Sequence, residues 1–365
     1  MALKVAIVGL PNVGKSTLFN ALTQTAQAQA ANYPFCTIEP NVGDVAVPEP
    51  RLDALAGIAG SKEIIPARIN FVDVAGLVRG ASKGEGLGNQ FLANIRDCDA
   101  VAFVARCFED GDVTHVEGRV DPLSDLEIIE TELMLADLES LEKRRDNLDK
   151  RAKQGDKESA KTLSLVDLAL TQLNAGRPAR AADVPADDAK AWRMLQLLTS
   201  KPALYVCNVD EGSAATGNAL SAQVLERAAR DRAKAVIISA KIESEIALLD
   251  AEERTEFLQS LDLEEPGLNR LIHDAYALLG LQTYFTVGPK EARAWTIPVG
   301  VTAPQAAGVI HTDFEKGFIR AETIAYPDYV ALKGETGARE AGKMRLEGKE
   351  YVVKDGDVMH FRFNT

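Results

Sequence analysis

The octapeptide Gly9 to Ser16 constrains the fold more than any other part of the sequence. It reads Gly-Leu-Pro-Asn-Val-Gly-Lys-Ser and fits the pattern GxxxxGK[ST]. The apolar, largely β-branched run Lys4 to Val8 precedes it, and the stretch Ser16 to Leu22 carries apolar side chains at helical spacing. This order of strand, glycine-rich loop and helix predicts an α/β fold built around a phosphate-binding loop.

Side chains of this loop are candidates for the chemistry of a bound nucleoside triphosphate. Backbone N–H groups of such a loop surround the phosphates, and the helix N-terminus adds positive potential. Lys15 is expected to reach the outer phosphates as a catalytic residue, and the Ser16 hydroxyl is expected to hold Mg²⁺. Asn12 is a lesser candidate, as a ligand of a monovalent cation. A chance glycine-rich turn is disfavoured because motif and context agree.

Two later segments are candidates for loops that respond to a γ-phosphate. The segment 32–40 contains two prolines and suits a loop, in which the Thr37 hydroxyl is expected to complete the Mg²⁺ coordination. An ordinary surface loop bounded by prolines is the alternative. A strand-like run leads into a DxxG sequence, where Asp73 is expected to hold Mg²⁺ through water and the Gly76 N–H to touch the γ-phosphate.

Leu77 follows this DxxG sequence, at the place where regulatory GTPases usually carry the glutamine that orients the attacking water. An apolar side chain cannot orient water, so another group must do so or turnover must be slow. The loop 109–116 follows a predicted strand at 100–105 and contains His115. His115 is therefore the candidate catalytic residue that positions water, and a surface histidine without a role is the alternative.

A tetrapeptide beginning at Asn208 stands where a guanine-specific protein carries Asn-Lys-x-Asp. Val209 replaces the lysine, and Glu211, one methylene longer, replaces the aspartate that binds guanine through two hydrogen bonds. Because a misplaced polar partner costs discrimination of about 10⁴-fold, this change predicts that adenine is accepted. Ser239 and Ala240 follow the next predicted strand and suit the loop that closes over a base, with a helix-capping serine as the alternative.

The chain divides into three predicted units. Leucine-rich helical periodicity over 121–200, broken by polar residues at 153–156, predicts two antiparallel helices that form an inserted coiled-coil arm. The pattern turns to strands and glycines beyond residue 281, with a final strand predicted at 352–363, and suits a small β-grasp domain. The predicted nucleotide-binding domain therefore comprises 1–120 and 201–281, and the C-terminal domain comprises 282–365.

Charge and composition exclude several classes of protein. The chain has 41 Lys and Arg against 54 Asp and Glu, and this net charge of -13 argues against a general electrostatic affinity for nucleic acid. The predicted arm tip, 143–161, has a local basic excess, for which a solvated helical face is favoured over an RNA contact. Four cysteines without CxxC spacing indicate neither a zinc site nor a disulfide framework and favour a cytoplasmic location. No apolar run approaches the roughly 20 residues of a membrane span, and the first residues lack the pattern of a signal peptide.

Several motifs together resemble the YchF, or Obg-like ATPase, family. They are GLPNVGKSTLFN at 9–20, NYPFCTIEPN at 32–41, FVDVAGLVRGASKGEGLGNQF at 71–91 and NxxE at 208–211. The resemblance covers essentially the whole chain, and NxxE separates this family from true Obg GTPases. It implies a P-loop NTPase fold with an Obg-type G domain, an inserted helical arm and a C-terminal TGS domain. It also implies Mg²⁺, K⁺ as a candidate second cation, ATP in preference to GTP, and association with the ribosome through its large subunit.

The resemblance carries over to individual residues. His115 matches the loop histidine of the family, and Leu77 matches its apolar replacement of glutamine. Asp210 departs from the pattern by placing a second acid beside Glu211, which leaves open which carboxylate faces the base. The arm and the TGS domain imply an RNA or ribosomal-protein contact, and a monomer is favoured. The implied phosphate and magnesium ligands are Asn12, Val13, Gly14, Lys15, Ser16, Thr17, Thr37 and Asp73.

Three functions follow from these observations. The favoured one is a slow ATPase that acts as a nucleotide-dependent switch, in which ATP orders the Thr37 and Asp73 loops. The second is an Obg-type GTPase that regulates translation or a stress response, which requires Glu211 to bind guanine. The third is a binding module that holds nucleotide only as a structural ligand, which the apolar Leu77 motivates.

Overall fold

The computed structural model describes residues 3–30, 41–74, 87–110, 119–231 and 233–364. The strands are β1 (Lys4–Val8), β2 (Val42–Ala46), β3 (Glu63–Ile65), β4 (Arg68–Asp73), β5 (Ala100–Cys107), β6 (Ala203–Val209), β7 (Lys234–Ile238), β8 (Leu281–Val287), β9 (Glu291–Pro298), β10 (Phe318–Ala325), β11 (Arg345–Glu347) and β12 (Asp357–Phe363). The helices are α1 (Lys15–Ala30), α2 (Pro50–Ala59), α3 (Leu87–Arg96), α4 (Pro122–Lys153), α5 (Lys157–Asn174), α6 (Ala189–Met194), α7 (Ala219–Arg230), α8 (Ala240–Ile246), α9 (Ala251–Ser260), α10 (Gly267–Leu278), α11 (Ala303–Ile310), α12 (Thr312–Lys316), α13 (Tyr326–Ala331) and α14 (Glu335–Glu340).

The first sheet has the strand order β2-β4-β1-β5-β6-β7. Its strands are parallel, except that β2 pairs antiparallel with β4. β5 and β6 are buried along their whole length, as expected for apolar strands covered by helices on both faces. Because the strands are parallel, their carboxyl ends meet at one edge, and in open α/β sheets this is the edge where ligands bind.

The long helices α4 and α5 form the predicted arm. Asp121 accepts a hydrogen bond from the Ser124 N–H at 3.1 Å, and Pro122 occupies the first turn, so α4 begins with a strong start signal. The chain turns at 154–156, where Asp156 caps the start of α5. The two helices pack through buried apolar side chains, among them Leu141, Leu165, Val166, Ala169 and Leu170.

Two buried carboxylates on α4 fix the base of the arm. Asp137 accepts hydrogen bonds from the Leu198 N–H at 2.8 Å, the Thr199 N–H at 2.8 Å and the Thr199 Oγ1 at 2.7 Å. About two turns earlier, Glu130 forms ion pairs with arginines from two other segments. The arm is therefore anchored to the chain that returns from it and leads into β6.

The second sheet has the strand order β11-β10-β12-β8-β9-β3. Its edge strand β3 comes from the N-terminal part of the chain and pairs in parallel with β9, with Glu63 opposite Glu291. The Arg51 Nη1 at the start of α2 also pairs with the Asp355 Oδ2 at 2.7 Å. The C-terminal residues are therefore joined to the N-terminal ones by backbone pairing and by an ion pair.

The C-terminal strands differ from the sequence expectation in one place. The predicted final strand at 352–363 begins only at Asp357. Val352 forms an isolated bridge with Thr302, and Gly356 turns the chain at a φ of +83°. A left-handed backbone conformation interrupts a strand and favours glycine, which is why the apolar run 351–353 does not extend β12.

Candidate nucleotide-binding site

A pocket of about 960 Å³ opens at the carboxyl edge of the first sheet. Four loops that follow parallel strands line it, as the topology predicts. The lining residues are Leu10, Pro11, Asn12, Gly14, Lys15, Ser16 and Thr17 after β1; Phe108, Glu109 and Asp110 after β5; Asn208, Val209, Asp210, Glu211 and Gly212 at the end of β6; and Ser239, Ala240 and Lys241 after β7. The structure thus brings together the predicted phosphate loop and the predicted base-binding segments.

Asn208 joins three of these segments. Its Nδ2 donates a hydrogen bond to the Val13 carbonyl at 2.9 Å, and its Oδ1 accepts one from the Ala240 N–H at 2.9 Å. The side chain is buried, so both bonds are shielded from water. Gly14 has a φ of +88°, and a Cβ there would lie 2.1 Å from the Asn208 Nδ2. The close approach of Asn208 is therefore the physical reason for a glycine at this position.

The phosphate end of the pocket carries the predicted charged pair. The Lys15 Nζ donates a hydrogen bond to the Asp73 Oδ1 at the end of β4, and the lysine is only 8% exposed. The Ser16 and Thr17 side chains are exposed at the start of α1. The Ser16 hydroxyl and the Asp73 carboxylate are hard oxygen donors, which is the ligand chemistry that Mg²⁺ prefers.

The two oxygen donors, the Ser16 hydroxyl and the Asp73 carboxylate, suit magnesium. Mg²⁺ in P-loop proteins is held by one hydroxyl, one carboxylate, waters and the phosphates of the substrate. The residues present therefore fit the ion that the sequence predicts.

At the opposite end of the pocket, the two acids of the NxxE segment have different partners. Both Asp210 carboxylate oxygens accept a hydrogen bond from the Ser213 Oγ at 3.0 Å. The Asp210 side chain is therefore held by a residue of its own loop. Glu211 instead forms an ion pair with Lys241 from the start of α8. Of these two acids, Glu211 is therefore the one that is not held by its own loop, and its partner is Lys241.

Ser239 presents a second unusual feature. Its side chain is 2% exposed, and its Oγ has no hydrogen-bond partner among the described residues. It does not cap α8 through its side chain, although a capping serine was the alternative to a base-binding one. A buried hydroxyl without a partner is costly, and its place in the pocket wall makes it a candidate ligand group.

The structure adds two residues that sequence reasoning missed. Phe108 lines the pocket, and the Arg106 guanidinium lies 4.6 Å from the centroid of its ring. Arg106 is 1% exposed; its Nε donates to the Phe108 carbonyl at 3.2 Å and its Nη2 to the Asp110 carbonyl at 3.3 Å. An arginine inside the otherwise apolar strand β5 is the available signal, because arginine is almost never fully buried unless its guanidinium is paired.

Four of the predicted residues lie outside the described residues. They are Thr37, Gly76, Leu77 and His115. Their roles in coordinating Mg²⁺, contacting the γ-phosphate and positioning water stay predictions.

The basic tip of the arm resembles a solvated helical face. Six of its eight cationic side chains contact a partner within the arm and its return segment. His311 is exposed, and its Nδ1 accepts a hydrogen bond from the Asp313 N–H at 3.2 Å, at the start of α12. Neither feature adds to the pocket.

A larger cleft of about 1250 Å³ lies at the base of the arm, beside the amino end of β6. Its buried charges are already paired, because Glu130 binds Arg180 and Arg227. None of the predicted site residues lines it. The chemistry of the lining groups, and not the volume, therefore identifies the functional pocket.

A phosphate loop after β1, a lysine paired with the aspartate at the end of β4, and an asparagine that ties the phosphate loop to the base loop define a P-loop nucleotide-binding protein of the GTPase type. Residues 4–133 match the family described as "50S ribosome-binding GTPase", and residues 281–364 match the YchF-GTPase_C family, described as "Protein of unknown function (DUF933)". The chain belongs to the YchF family.

The relatives that establish this membership are similar along their whole length. The chain is 59% identical to the "Ribosome-binding ATPase YchF" of Haemophilus influenzae and 54% identical to that of Bacillus subtilis, and in both comparisons all of each chain is covered. The solved structure of the Schizosaccharomyces pombe YchF GTPase superposes with a TM-score of 0.88 at 38% identity, over 99% of this chain and 97% of that one. Across the described residues, we find no helix with the length and apolar character needed to cross a membrane.

Proposed function

We propose that this chain is an ATPase that binds the ribosome and acts as a nucleotide-dependent switch. The relatives named above carry this activity and this partner in their names. The contacts at the base end of the pocket are the observation that supports ATP as the substrate. The Ala240 N–H is already bonded to Asn208, and Glu211 is already paired with Lys241. The acid that stands in the place of the guanine-binding aspartate is therefore one methylene longer and already has a partner within the protein, which supports the choice of adenine.

The phosphate end supplies the means of hydrolysis. In the reaction, water attacks the γ-phosphorus, the bond to the bridging oxygen breaks, and ADP and phosphate leave. Lys15 would exchange Asp73 for the phosphate oxygens and stabilise the charge that develops on them. Ser16 and Asp73, with Thr37 by prediction, would hold Mg²⁺, which neutralises phosphate charge when bound. Because Leu77 cannot orient water, we expect slow turnover that depends on His115.

Calorimetric titration of the nucleotide-free protein with ATP and GTP, in matched Mg²⁺ and K⁺, tests this choice. We expect ATP to bind at least tenfold more tightly. If GTP binds more tightly, Glu211 serves as the guanine carboxylate, and the chain functions as an Obg-type GTPase. Omission of K⁺ in a parallel titration shows whether a monovalent cation contributes.

Hydrolysis is tested with two variants and a control. Lys15→Met is expected to lower turnover by a hundredfold or more, because the transition state loses its main positive charge. His115→Ala is expected to reduce turnover to background, whereas His311→Ala, far along the chain and exposed, leaves turnover unchanged. Normal turnover in His115→Ala would favour the structural-ligand alternative or another water-positioning group.

The ribosomal partner is tested by sedimentation with purified ribosomes and separated large subunits. We expect the fraction of the protein that sediments with ribosomes to differ between ATP and ADP. An RNA contact through the arm tip ranks below a solvated face, since six of its eight cations contact partners within the arm and its return segment. The described cysteines, Cys98, Cys107 and Cys207, are free thiols, which is in keeping with the predicted cytoplasmic location.

A further inference from the structure

Arg106 is a buried charge beside the pocket that the proposed function does not yet use. It lies on β5, opposite Asn208 of β6 in the register of the sheet. The rest of β5 is Ala, Val, Phe and Cys, and Arg106 is as buried as these neighbours. Because removal of a charged group from water costs free energy, a guanidinium is kept in such a place only where its donors are used.

The guanidinium holds residues 108–110, which form the stem of the loop after β5. The backbone ladder between β5 and β6 ends at Cys107, so it does not hold the chain beyond that residue. There the Arg106 Nε donates to the Phe108 carbonyl at 3.2 Å, and the Arg106 Nη2 donates to the Asp110 carbonyl at 3.3 Å. The Arg106 Cζ also lies 4.6 Å from the centroid of the Phe108 ring, within the range of a cation–π contact. One side chain thus takes over from the ladder across these three residues.

An arginine suits these contacts because of the shape of its guanidinium. The group is a rigid planar fork with donors in several directions, so two of its nitrogens reach carbonyls that are two residues apart. A lysine ammonium is a single point on a flexible chain, and an apolar side chain has no donor at all. The Arg106 Nη1 is buried and has no hydrogen-bond partner among the described residues. Such a costly arrangement is typical of a functional site.

The stem is part of the nucleotide pocket and leads to the proposed catalytic residue. Phe108, Glu109 and Asp110 all line the pocket. His115 follows Asp110 in the sequence after four intervening residues. Since five residues of chain span at most about 18 Å, the position of Asp110 limits where the His115 side chain can act.

We infer that Arg106 is a positioning residue for hydrolysis, which fixes the stem 108–110 and with it the start of the loop that carries His115. The inference rests on the proposed function, because Arg106 acts through a loop whose histidine positions the attacking water. Arg106 itself does not contact the reacting atoms. Its loss should therefore slow turnover much more than it weakens nucleotide binding, which depends on the phosphate loop and on Asn208.

The test uses the full-length protein and two substitutions of Arg106. Arg106→Met removes the charge and the donors, and Arg106→Lys keeps the charge but cannot reach both carbonyls. Tyr276→Phe is the control, because it also deletes a buried hydrogen bond, to the Thr283 Oγ1 at 2.9 Å, and lies outside the pocket. The measurements are kcat at saturating ATP and the Kd of a nonhydrolysable ATP analogue. Urea unfolding establishes that each variant is folded under the assay conditions.

We expect Arg106→Met to lower kcat about ten- to hundredfold, as misplacement of a catalytic group does, with the Kd of the analogue within about threefold of wild type. Arg106→Lys should have an intermediate kcat, and Tyr276→Phe should retain the wild-type kcat and Kd. A wild-type kcat in Arg106→Met, or a loss of affinity as large as the loss of turnover, overturns the inference. If Arg106→Met does not fold, Arg106→Lys decides by the same criterion, with a kcat at least threefold below wild type expected.

His115→Ala separates the failure of this inference from the failure of the proposed function. A slow His115→Ala together with a normal Arg106→Met overturns only the role of Arg106. A normal His115→Ala overturns the proposed role of His115, and with it the route by which Arg106 acts. Loss of turnover with retained affinity in both variants is the result expected.

Discussion

The Asn208 Oδ1 accepts a hydrogen bond from the Ala240 N–H at 2.9 Å, and this bond holds the start of α8 against the end of β6. The same carboxamide donates to the Val13 carbonyl in the phosphate loop. One buried side chain therefore sets the distance between the base loop and the phosphate loop. The site depends on this residue for its shape before any ligand binds.

Asn208→Ala is expected to lower both stability and ATP affinity. The Val13 carbonyl and the Ala240 N–H lose their partners in a buried place, at a cost of about 1 to 3 kcal/mol for each group left unsatisfied. Urea unfolding and calorimetric titration measure the two effects. Asn174→Ala, at the exposed end of α5, is the control and should change neither. A loss of affinity with unchanged stability would contradict a loop-positioning role.

Ser239→Ala, unlike Asn208→Ala, is expected to lower ATP affinity without lowering stability. The buried Ser239 Oγ has no partner within the described part of the chain, so its removal should leave the free energy of unfolding unchanged or slightly higher. ATP affinity should fall about two- to tenfold, the effect of one hydrogen bond.

Ser244→Ala provides the matched control for this experiment. The Ser244 Oγ donates to the Ala240 carbonyl at 2.9 Å on the same helix. Its removal should cost a few tenths of a kcal/mol to about 1 kcal/mol of stability and no affinity. If Ser239→Ala binds ATP as the wild type does, the hydroxyl is not a ligand group.

The parts of the fold that the sequence predicts are those set by local signals. The strand, loop and helix around Gly9 to Ser16 need only neighbouring residues, and so do the capped starts of α4 at Asp121 and of α5 at Asp156. The short strand β3, with three residues, carries no such signal. Their pairing with β9 joins segments that are far apart in sequence, and three exposed or half-buried residues are too few for a periodic pattern.

The same distinction holds within the site. Lys15, Asp73 and Asn208 are predictable because their motifs place them at the start of α1 and at the ends of β4 and β6. The pairing of Glu211 with Lys241 is not, because it depends on where two side chains from different loops meet. The position of Arg106 beneath Phe108 depends in the same way on a loop conformation that a linear pattern does not encode.

Glu130→Gln is expected to destabilise the protein strongly. The Glu130 carboxylate pairs with Arg180 from the return of the arm and with Arg227 from α7, and all three side chains are at most 15% exposed. Removal of the negative charge leaves the buried Arg180 guanidinium without this counter-charge and leaves Arg227 with its ion pair to Asp231 at 3.4 Å, and breaking a buried pair in this way costs about 3 to 5 kcal/mol. Glu127→Gln, on an exposed position one turn earlier in α4, is the control. A loss below 1 kcal/mol in urea unfolding would contradict this anchoring role.

Glu243 provides the clearest dependence on pH. Its carboxylate oxygens accept from the Gly267 N–H at 2.7 Å and the Leu268 N–H at 3.2 Å, so this residue of α8 caps α10. Burial raises the pKa of Glu243 above its ordinary value of 4.5, and the hydrogen bonds from Leu268 and Gly267 only partly offset that rise. The folded protein therefore holds this proton more tightly than the unfolded chain does.

Because the pKa of Glu243 is raised in the folded state, the stability linked to it is present at low pH and is lost as pH rises through the raised value. Glu243→Gln removes this titration and resembles the protonated acid. The free energies of unfolding of wild type and variant should be similar near pH 5. Toward pH 8, the free energy of unfolding of the variant should become larger than that of the wild type. Glu245→Gln, exposed on the same helix, controls for the loss of one carboxylate. Urea unfolding of the three proteins across this range measures the difference. If the free energy of unfolding of Glu243→Gln falls relative to that of the wild type as pH rises, the direction derived from burial is wrong.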